Sequence, residues 1–192
     1  IYILDPEIFD YIPSERPVSI EHETFPKLAE KGKLFGYSFE GLWTDIGELS
    51  DYLKANRLWL DIEIKKSRIE TSVKMEDNAE IADPTILGKN VTVGEKSKIG
   101  PYVTLGDNVT IGKGVRIENS IVFPETVISD FTSVKGAIIG ENAIIEKWVK
   151  IEDGCIIGDH AIVKDNVTLT RGVTVCPSKE VAESVLTSKC VM

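Results

Sequence analysis

The sequence predicts a mainly β chain: a parallel β-helix of about five coils, preceded by a small α+β unit. Three observations carry this expectation. Branched aliphatic residues return at every sixth position through the second half of the chain, glycine follows many of them, and the aromatic residues gather before residue 70. A period of six is neither the 3.6 of a helix nor the plain alternation of a sandwich strand, so it marks a stacked repeat.

The chain opens on an apolar, strand-like run, Ile1-Tyr2-Ile3-Leu4, with nothing polar ahead of it, which reads as a start inside a domain. Ser19 to Lys31 reads as a helix, or a loop and a helix. Lys33 to Asp45, punctuated by Gly36 and Gly41, reads as two short strands, with Trp43 expected in a core. Glu48 to Lys66 places Leu49, Tyr52, Leu53, Leu60 and Ile64 at amphipathic spacing, a helix entered from Gly47. Two strands and two helices in about 65 residues cannot easily close a core without staples, so residues 1–66 are expected to be part of a larger domain.

The repeat follows. Steps of six from Ile81 meet Leu87, Val93, Ile99, Leu105, Ile111 and Ile117, and steps of six from Ile139 meet Ile145, Ile151, Ile157, Val163, Leu169 and Val175. Ile, Leu and Val make up little more than a quarter of the residues, so chance does not produce such a series. Glycine comes next at Gly88, Gly94, Gly100, Gly106, Gly112, Gly140 and Gly158, where a bend needs positive φ or close backbone approach. The fourth position after each aliphatic is small or β-branched, as at Thr85, Val91, Ser97, Val103, Ala143 and Cys155. Three such units make one triangular coil, and stacked coils bury a continuous aliphatic column. The pattern resembles the left-handed parallel β-helix of hexapeptide-repeat proteins. The 22 residues from Ile117 to Ile139 are not a multiple of six, which predicts one irregular coil around Ser120 to Ile138. The β-helix is therefore assigned to 67–178, and the tail, 179–192, to a short helix that covers the open end, because Val181, Val185 and Leu186 fall at helical spacing.

A net charge of −9 argues against binding along a nucleic acid backbone, and no apolar run approaches a membrane span. Cys155, Cys176 and Cys190 show neither metal-knuckle spacing nor a disulfide framework, and the N-terminal residues lack a basic stretch followed by an apolar one, so a cytoplasmic location is the default expectation.

Several segments together suggest a family. Tyr2-Ile3-Leu4 with Pro6-Glu7-Ile8-Phe9, Ser19-Ile20-Glu21 with Phe25-Pro26, Trp43-Thr44-Asp45-Ile46-Gly47, and Tyr52-Leu53-Lys54-Ala55-Asn56 occur in this order directly before a hexapeptide repeat. They resemble the C-terminal part of sugar-1-phosphate nucleotidyltransferases, of the mannose-1-phosphate guanylyltransferase kind. The resemblance implies a parent enzyme that joins an NTP, GTP by preference, to a sugar 1-phosphate and releases pyrophosphate with the help of Mg2+. It implies that Asp45 is a ligand of that metal, although an Asp ahead of a helix also serves as a cap. It implies that Glu21 lies near the sugar pocket, where the residue alone reads equally as a solvated glutamate. The family's glycine-rich nucleotide loop, Gly-x-Gly-x-Arg-x-x-Pro, does not occur here, so no catalytic residue is assigned within the chain, and the chain alone is expected to be inactive and to serve assembly as a homo-oligomer through its β-helix. Two alternatives stay open at this point. One is a hexapeptide acyltransferase using acetyl-CoA, for which His160 would be the general base. The other is a regulatory subunit resembling those of translation-factor exchange complexes.

Overall fold

In the computed structural model, the backbone of residues 1–192 and every side chain except that of Leu49 are described. The chain forms two compact units, Ile1–Trp43 and Thr44–Met192.

The first unit is helical. A 3-10 turn at Pro6–Tyr11 is capped by Asp5, whose carboxylate accepts from the Glu7 N–H at 2.9 Å. A short π-turn, Ile20–Thr24, leads into helix α1, Phe25–Glu30, with Pro26 in the first helical turn, where its missing N–H costs nothing. Ile8 and Leu28 are the buried apolar side chains of this unit. The two strands expected over Lys33 to Asp45 do not form, and neither does one over Ile1 to Leu4. Trp43, expected in a core, is 67% exposed, and Ile1, Ile3, Phe35 and Tyr37 are more exposed still.

The second unit begins with helix α2, Leu49–Trp59, which closes through a π-turn at Leu60–Ile64. Twenty-one short parallel strands between Arg68 and Val191 then form three faces of eight, seven and six strands. This makes seven coils, not five. The additional turns lie at the ends: Ile69 and Met75, which continue the spacing back from Ile81, are exposed in the first coil, and the tail expected as a helix instead forms the strands Glu180–Val181 and Cys190–Val191. Val181 is the sixth residue after Val175 and pairs with Val163, so the period simply continues.

The column is built as the period requires. Of the fourteen aliphatic positions, thirteen are buried, and Ile81, near the open N-terminal end, is partly buried. The smaller inward positions are buried as well, and where they carry hydroxyls each finds a carbonyl: Ser97 Oγ donates to Gly112 at 2.8 Å and Thr132 Oγ1 to Glu146 at 2.8 Å. The register explains the irregular middle. Leu105 pairs with Val122 and Val122 with Ile139, steps of 17 residues, whereas Leu87 to Leu105 and Ile139 to Ile157 are steps of 18. Two successive coils each lack one residue at the same corner, before Ile121 and before Ile138, so the defect is shared between two coils that stack on each other.

The glycines after the aliphatic positions serve close approach, and of them Gly100 alone also adopts a positive φ (+100°). A Cβ built on Gly94 would lie 2.5 Å from the carbonyl carbon of Gly112 in the next coil. The left-handed corner comes two residues later, at Asn90, Lys96, Asn108 and Asn142 (φ +55 to +60°), and asparagine is the side chain that tolerates this conformation best.

Helix α2 covers the eight-stranded face. Asn56 accepts from Thr104 at 2.8 Å, Asp61 accepts from the Tyr102 hydroxyl at 2.9 Å, and the Arg57 guanidinium lies 4.2 Å from the centre of the Tyr102 ring. The outward isoleucines Ile121 and Ile138 are consequently buried. This packing places α2 with the β-helix, although the sequence groups it with residues 1–66.

Candidate functional site

Glu21 lies in the first unit at the start of the turn capped by Ser19, whose Oγ accepts from the His22 N–H at 3.3 Å. Its carboxylate accepts from the Tyr2 hydroxyl at 3.0 Å and from Ser19 Oγ at 3.4 Å. Its own backbone N–H, and next the Tyr2 hydroxyl, hold this carboxyl below the usual glutamate range, while the same contact pushes the Tyr2 phenol up. Glu21 is thus exposed, ionised and tethered, fixed in direction by Tyr2, which in turn packs edge-on against Phe25 at 4.9 Å. Beside it, Glu23 is taken up by Arg16.

Asp45 lies in the second unit, on the exposed segment that enters α2. It is not the helix cap. The N-cap is Glu48, whose backbone N–H donates to Asp51 Oδ2 at 3.2 Å, so the end of the helix is satisfied without Asp45. Its side chain is left without a structural task. Among the described residues there is no cluster of three or more His, Cys, Asp or Glu side chains that could hold a metal ion.

A groove of about 310 Å³ that the sequence did not announce opens between α2 and the shortened corner, floored by Ile138 and Ile156 and edged by Lys54 and Arg57. Its signal was present in the outward isoleucines that precede the inward series. Lys54 is paired with Asp51 at 2.8 Å, Arg57 lies over the Tyr102 ring, and Asp153, which also lines the groove, is 3.5 Å from Arg171. His160 occupies a corner with φ +57°, in the same stack as Asn142 and Ser178, where its backbone N–H donates to Glu141. That position explains a polar residue there without a catalytic role.

The fold defines a hexapeptide-repeat β-helix protein that carries a helical lead-in. The family model described as the GMPPB C-terminal domain matches residues 81–191, more than half of the chain, and that described as nucleotidyl transferase matches residues 1–62. The chain belongs to the GMPPB C-terminal domain family, the β-helix part of mannose-1-phosphate guanylyltransferase-like proteins. It is 37% identical over 197 residues to a mannose-1-phosphate guanyltransferase of Pichia angusta, covering all of this chain and 52% of that protein. It is 34% identical over 200 residues to mannose-1-phosphate guanylyltransferase 1 of Arabidopsis thaliana, again covering all of this chain and 52% of the relative. A mannose-1-phosphate guanyltransferase of Kluyveromyces lactis is 44% identical over 152 residues, 79% of this chain and 41% of that one. The chain spans about half the length of the curated relatives that it matches along its whole length. Among solved structures, the UDP-N-acetylglucosamine O-acyltransferase of Moraxella catarrhalis RH4 is similar at 19% identity over 60% of each chain, with a TM-score of 0.29. Among the described residues, no helix is long and apolar enough to cross a membrane.

Proposed function

We propose that this chain is the C-terminal half of a mannose-1-phosphate guanylyltransferase, a cytoplasmic enzyme that in its complete form joins GTP to mannose 1-phosphate and releases pyrophosphate. The observation that carries this reading is collinearity: one similarity runs unbroken through the nucleotidyltransferase segment, α2 and the β-helix. In the complete enzyme, Asp45 supplies one carboxylate to a magnesium ion that neutralises the phosphate charge of the reacting nucleotide. Its freedom from capping supports that role. Glu21, held by Tyr2 and Ser19, contributes an acceptor for the sugar. The glycine-rich loop that cradles phosphates has no counterpart among these 192 residues, so the chain alone is inactive.

Its own task is assembly. Of the three β-helix faces, one is covered by α2 and one presents Lys98, Arg116 and Lys150, of which Lys98 and Lys150 are paired with Glu80 and Glu152. The seven-stranded face instead turns Val127, Ile144 and Ile162 outward in successive coils. Phe131 and Trp148, at the corner that follows, stack at 4.3 Å and are 40% and 57% exposed. An aliphatic ladder edged by aromatic residues is the composition of an interface core, and a second copy of the same face is its simplest occupant. Light scattering on the wild-type chain is expected to show an oligomer that Ile144→Lys reduces to monomers, with the circular dichroism of the β-helix unchanged. A wild-type monomer, or an Ile144→Lys oligomer, removes this face from assembly.

A further inference from the structure

The three cysteines occupy two different chemical environments. Cys155 fills a small inward position of the column, with its thiol directed at the carbonyls of Leu169 (3.7 Å) and Thr170 (3.1 Å), and burial pushes that thiol above its ordinary pKa. It is neither accessible nor ionised. Cys176 directly follows the strand Thr174–Val175, and Cys190 opens the neighbouring strand Cys190–Val191 at the C-terminal end of the eight-stranded face. There Thr174 pairs with Cys190 and Val175 with Val191, so Cys176 and Cys190 stand on the outer side of neighbouring coils, with their Sγ atoms 3.5 Å apart. Cys190 is exposed and Cys176 partly so.

We propose that Cys176 and Cys190 form a reversible disulfide that locks the final strand onto the β-helix. A disulfide bond is about 2.05 Å long, so the sulfurs need to approach by roughly 1.5 Å, within the reach of side-chain rotation. The lock falls where the fold is least secured. Cys190–Val191 is an edge strand paired on one side only, held by backbone bonds from the Thr174 N–H to Lys189 and from the Cys176 N–H to Val191. The oxidant is a small-molecule disulfide. The thiolate of the exposed Cys190 attacks one of its sulfurs, its S–S bond breaks and one thiolate departs. The Cys176 thiolate then attacks the Cys190 sulfur of the mixed disulfide, and the second thiolate departs. The two cysteines lose two electrons and two protons, which leave on the two reduced thiols of the reagent.

The full chain incubated with oxidised glutathione, then alkylated and weighed intact, is the test. The expected product has lost the mass of two hydrogen atoms, yields a peptide that joins Cys176 to Cys190, and keeps Cys155 as a free thiol that reacts only after denaturation. Cys155→Ser is expected to oxidise in the same way, whereas Cys190→Ser and Cys176→Ser stop at the mixed disulfide. Limited proteolysis of residues 177–192 is expected to slow several-fold in the oxidised chain and to recover on reduction. Two thiols that remain freely alkylatable in the folded, oxidant-treated chain overturn the proposal, as do bridges that link separate chains.

Discussion

Ile139→Asp is expected to abolish cooperative unfolding of the β-helix. Ile139 is fully buried and stands in register between Val122 and Ile157, where the two shortened coils meet the regular ones. A carboxylate at that point has no partner, and a coil contacts only its neighbours, so coils on both sides lose the surface on which they stack. Graded substitutions separate burial from charge. Ile139→Val is expected to cost about 0.5–1.5 kcal/mol and Ile139→Ala about 2–5 kcal/mol, the usual range for deleting buried methyl groups in a packed core. Urea unfolding followed by circular dichroism checks the series. A near-wild-type midpoint for Ile139→Asp would mean that the side chain does not face the column.

Asp45→Asn in the full-length enzyme is expected to leave the unfolding midpoint unchanged and to lower turnover by orders of magnitude. The stability half of this expectation rests on the structure: Asp45 is exposed, and the N-cap of α2 is Glu48. The activity half rests on charge, because an amide keeps the shape of the ligand but not its ability to balance a divalent ion among phosphates. Steady-state kinetics at saturating magnesium reports the change. Wild-type turnover removes the metal role, and a fall in both turnover and midpoint makes Asp45 structural instead.

The column was legible because one inward aliphatic per six residues leaves an unmistakable spacing, and Leu87 to Ile117 and Ile139 to Val175 stand where that spacing puts them. Its defects were less legible. Twenty-two residues divide into steps of five, six, six and five, and only the register shows that both short steps share one corner and that Val122, Ile128 and Val134 fill the column between them. The ends were misread for opposite reasons. Ile69 and Met75 continue the six-residue spacing back from Ile81 but lie exposed in the first coil, and Val181, Val185 and Leu186 stand at helical spacing although Val181 and Val185 instead pair with Val163 and Leu169. Lys33 to Asp45 has strand-like composition, but a strand is a property of a pair, and composition does not reveal whether a partner is at hand. Of the candidate site, Glu21 and Asp45 were legible only through the order of the motifs around them. The ties of Glu21 to Tyr2 and Ser19, and the release of Asp45 from capping, are facts of geometry.

Turnover and nucleotide binding by the 192-residue chain alone, set beside the full-length protein in GTP, mannose 1-phosphate and magnesium, are the deciding measurement. The full-length protein is expected to release pyrophosphate and make GDP-mannose, while the chain alone does neither and gives no heat of binding with GTP. Pyrophosphate release by the chain alone would contradict this expectation, because the phosphate-cradling loop would then lie within these residues.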